Sequence, residues 1–147
     1  MTSVHLYQAQ KKDIEELNNL IQEWKDSDLV ECNFPELDTI KVNKYLNHFL
    51  QHGKIICIKN LDTDEMIGCC IFNKSEYWFS KQQIIIIQMI YIHKRFRNYK
   101  LVKQIVDMIK KVAEDNPIVL SITTKLDIDP VFERLGFENM GGNWRLM

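Results

Sequence analysis

Residues 82–112, QQIIIIQMIYIHKRFRNYKLVKQIVDMIKKV, restrict the fold more than any other stretch of the chain. Ile84, Ile85, Ile86 and Ile87 form a continuous β-branched run that continues through Gln88, Met89, Ile90, Tyr91 and Ile92. Residues this crowded at Cβ favour extended backbone. A run without alternation fits a strand covered on both faces, hence central in its sheet. The run ends in a basic, aromatic corner, His93 to Lys100. Beyond it Leu101, Ile105, Met108, Ile109 and Val112 recur at helical spacing, with Lys100, Lys103, Lys110 and Lys111 mostly opposite. A buried strand feeding a helix N-terminus is a place where anions bind, because the first-turn N–H groups have no intrahelical acceptors.

The flanking segments give the rest of the architecture. Val4 to Ala9 reads as a strand and Lys11 to Lys25 as an amphipathic helix through Ile14, Leu17, Leu20, Ile21 and Trp24. Asp26 to Leu37 lacks a period and reads as a loop; Trp24, Phe34 and Leu37 either line a cleft or pack on the core. Asp38 or Thr39 can cap a second helix reaching Gln51, with Gly53 where a C-terminal cap belongs. Lys54 to Leu61 and Met66 to Asn73 flank Asp62-Thr63-Asp64 as a hairpin, and Ser75 to Lys81 connects it to the long strand. After Asn116-Pro117, Ile118 to Thr123 is a strand and Asp129 to Leu135 a short helix stopped by Gly136. Phe137 to Met147 supplies one or two final strands. The expected fold is a mixed, mostly antiparallel α/β sheet with one parallel β-α-β crossover and helices on both faces.

At 147 residues the chain is expected to be a single domain, 1–147, and a net charge of -1 confines any basic patch to a local one. Cys32, Cys57, Cys69 and Cys70 show no C-x-x-C pair and read as reduced thiols; Cys69 and Cys70, adjacent on a strand, would face opposite ways. With no apolar signal core in MTSVHLYQAQKKD and no run near membrane-spanning length, a cytoplasmic protein is expected. Richness in Ile, Lys and Asn suits an AT-rich genome such as that of a phage, which would place the protein in the host cytoplasm or the virion. His48 and His52 are spaced to chelate on a helix but lack a third ligand, so no metal is expected.

The element order, with three local patterns, resembles the GCN5-related N-acetyltransferase (GNAT) superfamily. Met66-Ile67-Gly68 looks like the family's apolar-apolar-glycine step, and Ile90 to Val102 like its fourth strand, pyrophosphate loop and third helix. Val131-Phe132-Glu133-Arg134-Leu135-Gly136-Phe137 resembles the Y-E-K-L-G-F ending of its fourth helix. The resemblance implies acetyl-CoA as co-substrate and an amine of a small molecule or protein as acceptor. The protein would be a monomer or homodimer, without nucleic-acid or membrane partners. It further implies that Arg97, with the backbone of Asn98, Tyr99, Lys100, Leu101 and Val102, holds the diphosphate, and that Met89, Ile90, Tyr91 and Ile92 pair with the pantetheine arm.

This chain departs from the pattern at three positions. Lys100 and Val102 stand where the loop usually has small residues, and Phe132 where a tyrosine usually protonates the leaving thiolate. Glu76 and His93 are candidate bases, each also readable as a surface or structural group. Gln88, a polar side chain inside an apolar run, faces either the cleft or a bulge. Tyr91 and Tyr99 are candidate substitutes for the missing acid. Ser121, Thr123 and Thr124 are candidate orienting hydroxyls, and Asp28, Glu31 and Glu36 candidate attractors for a cationic amine. The alternative is a GNAT fold that has lost catalysis and serves as a binding or structural module, with Trp78, Phe79 and Trp144 as its interface.

Overall fold

The computed structural model describes residues 3–27, 35–121, 128–141 and 146. Cys32, Phe34, Asp28, Glu31, Thr123, Thr124 and Trp144, named above, lie outside the described residues. The order is β1 (Val4–Gln8), α1 (Ile14–Asp26), α2 (Thr39–His52), β2 (Lys54–Asn60), β3 (Glu65–Glu76), β4 (Gln83–Ile92), α3 (Tyr99–Ala113), β5 (Ile118–Leu120) and α4 (Asp129–Arg134), with 3₁₀ turns at Lys11–Asp13 and Lys94–Phe96. The strands form a five-stranded sheet in sequential order, antiparallel except for the parallel β4–β5 pair.

Two apolar clusters lie on the two faces of the sheet. On one face α3 buries Leu101, Ile105, Ile109 and Ala113 against Ile56, Ile58, Ile67, Phe72, Ile85, Ile87 and Ile92. On the other, Leu17, Leu20 and Ile21 of α1 and Leu46 and Phe49 of α2 cover Ile55, Cys57, Cys69, Ile71 and Tyr91. β4 thus contributes Ile85, Ile87, Ile90 and Ile92 to one cluster and Met89 and Tyr91 to the other, while Ile84 is buried and Ile86 half-buried outside both. Cys69 and Cys70 divide between the two faces as expected, and Cys57, Cys69 and Cys70 are buried free thiols.

Both long connections into helices are capped by side chains. Asp38 accepts from the Lys41 N–H at 3.1 Å at the start of α2. Asn98 accepts from the Leu101 N–H at 2.8 Å at the start of α3.

Several boundaries differ from expectation. The first helix opens with a 3₁₀ turn, because Asp13 accepts the Gln10 N–H at 2.8 Å and closes the entry tightly. Gly53 does end α2, but at φ -129 it needs no left-handed turn. A Cβ there would lie 2.8 Å from Phe49 Cδ1 and 2.9 Å from the Phe72 carbonyl oxygen, so close approach demands the glycine. β3 runs on through Ser75 and Glu76, because Ser75 pairs with Ile84 and Glu76 with Gln83. The connection expected over Ser75 to Lys81 is therefore shorter. Of the final strands expected over Phe137 to Met147, residues 142–145 and 147 lie outside the described residues, and Phe137 to Gly141 form no strand. Gly136 and Gly141 take φ of 95 and 125, and the Gly141 N–H donates to Asn139 Oδ1, so this stretch turns instead of extending.

Candidate functional site

The site is organised by an irregularity in β4. Ile71 pairs with Met89 while the next residue, Phe72, pairs with Ile87, so Gln88 is an extra residue, a β-bulge. Of the two orientations open to Gln88, the structure takes the bulge. The side chain is exposed and donates to Asn73 Oδ1 at 2.9 Å. The bulge resets the alternation: Ile85 and Ile87 face α3, Met89 and Tyr91 face α1 and α2, and Ile90 and Ile92 return to the α3 side. The parallel β4–β5 pairs are Ile85–Ile118, Ile86–Val119 and Ile87–Leu120, and among the described residues none lies beyond the bulge. Past it, Met89, Ile90, Tyr91 and Ile92 pair with Ile71, Cys70, Cys69 and Gly68 of β3. Gly68 is required there, since a Cβ would sit 2.7 Å from the Tyr91 carbonyl oxygen.

Beyond Ile92 the chain makes a 3₁₀ turn, buries Phe96 and enters α3. Arg97 folds back: its Nε donates to the Ile92 carbonyl at 2.6 Å and its guanidinium lies 5.8 Å from the Tyr91 ring centroid. This holds a positive charge at the end of β4. Two of the amides in the predicted anion nest are already engaged. The Leu101 N–H donates to Asn98 Oδ1 and the Val102 N–H to the Asn98 carbonyl at 3.3 Å. The first-turn amides without intrahelical acceptors are then those of Tyr99 and Lys100. The Lys100 side chain is exposed, while Val102 packs against the α3-side core.

Two long-range contacts complete the region. His93 Nε2 lies 2.5 Å from Glu23 Oε2, tying the last turns of α1 to the end of β4. The His93 ring also meets the Tyr91 ring edge-on at 6.0 Å. The Arg134 guanidinium stacks on the Tyr99 ring, with Cζ 3.8 Å from its centroid, tying α4 to the first turn of α3. Glu23 and Arg134 were not singled out from sequence. Glu23 lies in no motif, and Arg134 lies in the Val131 to Phe137 pattern without a role of its own there, because each acts across tertiary distance.

The structure thus brings Met89 to Ile92, His93 and Arg97 to Val102 together, with Gln88 at the upstream edge. It does not bring Glu76 to them. Glu76 is exposed and pairs with Gln83 at the opposite end of β4. At about 3.3 Å per residue, that end is roughly 30 Å along the strand from His93.

Phe132 meets Phe137 edge-on at 5.4 Å and lines a cavity of about 800 Å³ between β5, α4 and the C-terminal half of α3, which Ser121 also lines. That cavity borders Val106 to Glu114, not the first turn of α3. Trp78 and Phe79, at the β3–β4 turn, are 95% and 68% exposed. His48 and His52 have ring centroids 4.9 Å apart, and among the described residues no cluster of three or more His, Cys, Asp or Glu side chains is placed to hold a metal. No described helix is long and apolar enough to cross a membrane.

Comparison with known proteins follows the same geometry. The family model described as "Acetyltransferase (GNAT) family" matches residues 15–137. No curated protein sequence matches. Among solved structures, an aminoglycoside N-acetyltransferase in complex with CoA is 13% identical, with a TM-score of 0.76 over 100% of this chain and 95% of that one. A protein described as a predicted acetyltransferase, with acetyl-CoA, from Clostridium acetobutylicum is 17% identical, with a TM-score of 0.70 over 99% and 96%. Glucosamine-6-phosphate N-acetyltransferase from Arabidopsis thaliana is 11% identical, with a TM-score of 0.70 over 99% and 98%. At these identities the likeness is one of fold, and the two acceptors named, an aminoglycoside and glucosamine-6-phosphate, differ from each other.

Proposed function

This chain belongs to the acetyltransferase (GNAT) family, and on that premise we propose that it transfers an acetyl group directly from acetyl-CoA to an amine of a small molecule or protein. The observation that carries the reading is the bulge at Gln88: among the described residues β4 pairs with β5 only before it, and a helix start that carries a fixed arginine follows. A parted strand gives the pantetheine arm a backbone to run along, from Met89 to Ile92. The Tyr99 and Lys100 amides, Arg97 and the Lys100 side chain receive the diphosphate. Val102, packed inward, leaves the loop backbone open to approach.

The acceptor amine attacks the thioester carbonyl carbon as the neutral species. The C–N bond forms, the resulting tetrahedral centre expels sulfur, and the C–S bond breaks. His93 takes the proton that the amine loses. Its Nε2 is held by Glu23, which leaves Nδ1 as the basic nitrogen of the neutral ring. Phe132 has no proton to give, so the thiolate is protonated from water.

Calorimetry with acetyl-CoA tests the binding step, and micromolar to submillimolar affinity is expected. No heat or thermal shift at millimolar acetyl-CoA sinks the proposal. Arg97→Ala should weaken binding by about 1.5–3 kcal/mol through loss of a charge-assisted contact. Thiol release across an amine panel tests turnover. Phe132 also favours a second reading, a GNAT fold that binds CoA without transferring the acetyl group; acetyl-CoA binding with no turnover by any amine selects it.

A further inference from the structure

The loop after β4 holds Arg97 against the end of the strand and Arg95 over the Phe96 ring, but CoA carries a phosphate at its ribose 3′ position besides the diphosphate. The contact between α4 and α3 offers a group for it. Arg134 is the last residue of α4 and Tyr99 the first of α3. At 3.8 Å from the ring centroid, the guanidinium carbon lies over the tyrosine ring in van der Waals contact, well inside cation–π range. The ring holds the face of the guanidinium and leaves the in-plane N–H donors at its edge for an acceptor. Arg134 is exposed, and among the described residues no carboxylate pairs with it. Arg97 is held on the other side of the turn, against Ile92 and Tyr91 of β4. The two arginines therefore flank the first turn of α3 from two different elements.

We propose that Arg134, held over Tyr99, recognises the 3′-phosphate of CoA and makes the protein select CoA over its dephosphorylated form. This rests on the acetyl-CoA reading above. The diphosphate falls to Arg97 and the first-turn amides, and the nucleotide end to the α4 side. Tyr99 acts as a positioning residue: it fixes the guanidinium and contributes no charge of its own.

Binding of CoA and 3′-dephospho-CoA is measured by calorimetry on the full chain and on Arg134→Ala. The expected result is a wild-type preference for CoA of about tenfold or more, the size of one charge-assisted contact. Arg134→Ala loses that preference by weakening CoA while changing dephospho-CoA less than about twofold. Tyr99→Leu should lower the preference in the same direction, and Arg134→Ala added to it should do no more. Equal weakening of both nucleotides in Arg134→Ala assigns the arginine to the diphosphate and overturns the proposal, as does unchanged CoA affinity. If wild type binds neither nucleotide, the acetyl-CoA reading itself fails. Arg134 is exposed, so its variant should fold; an unchanged melting temperature confirms that affinity, not folding, has been read.

Discussion

Asp13 is 2% exposed, yet no motif marks it. It accepts from the Tyr7 hydroxyl at 3.1 Å and from the Gln10 N–H at 2.8 Å, fixing the entry of α1 against β1. Removing it takes the acceptor from two part-buried donors. Asp13→Ala should therefore destabilise the fold by about 2–4 kcal/mol, at about 1–3 per orphaned group less partial relaxation. A change below 0.5 kcal/mol in a urea titration would show that water replaces the carboxylate. The thiols make a second residue-scale prediction. Burial pushes Cys70 from 9.0 to about 12, and burial together with the neighbouring Cys70 does the same to Cys69. An unfolded thiol begins to ionise near pH 9 while the native one keeps its proton. Between about pH 9 and 12 the unfolded state thus binds fewer protons, and stability falls as pH rises. The slope is about 1.4 kcal/mol per pH unit for each thiol. Urea midpoints across that window should fall less steeply for Cys70→Ala than for wild type; parallel slopes would remove the thiol from the account.

The elements themselves were largely legible from sequence, because strand and helix periods are local. The isoleucine run could only be a doubly covered strand, and the stripe from Leu101 to Val112 could only be a helix on a core. The bulge was legible as one of two alternatives for Gln88: an amide in an apolar run signals an irregularity, but choosing between cleft and bulge depends on the partner's register. Contacts such as Glu23–His93 and Arg134–Tyr99 escaped for the same reason, since nothing near either residue in sequence announces them. Of the final strands expected over Phe137 to Met147, the part from Phe137 to Gly141 is not extended, because Gly136 and Gly141 take left-handed backbone, and most of the rest lies outside the described residues. The bulge gives the element-scale prediction. Deleting Gln88 removes the extra residue, so Ile87 and Met89 become neighbours opposite Phe72 and Ile71, and every side chain from Met89 onward keeps its face in a regular β3–β4 ladder. The deletion should therefore keep cooperative unfolding by circular dichroism. Gln88→Ala keeps the residue count, loses only the Asn73 contact, and should stay within about 1 kcal/mol of wild type. A deletion variant that no longer unfolds cooperatively would mean that the bulge itself holds the sheet together.

At the scale of the whole molecule, stability is uneven. β2 and β3 lie inside the sheet with helices on both faces, whereas α4 contains no buried residue and is joined to α3 through the Arg134–Tyr99 stack and to its own C-terminal side through Phe132 and Phe137. Elements with so little buried surface open at a small fraction of the global unfolding free energy. If acetyl-CoA lies along β4 and over the first turn of α3, with its nucleotide end on Arg134, it joins the most stable part of the chain to the least stable. Saturation at about one hundred times Kd adds about 2.7 kcal/mol to the global stability, a rise of roughly 5–10 °C in Tm for a chain of this size. The distribution of the protection matters more than its sum. Amide exchange in Asp129 to Leu135 should be fast in the free protein and slow by at least tenfold with acetyl-CoA bound. The innermost amides of β2 and β3, which already exchange by global opening, should gain only the global increment. Arg134→Ala should bind acetyl-CoA more weakly and, at matched saturation, lose the protection of α4 while keeping that of Met89 to Ile92. Protection of α4 that survives the substitution would show that the helix closes on the ligand without its arginine, and would separate the docking of α4 from phosphate recognition.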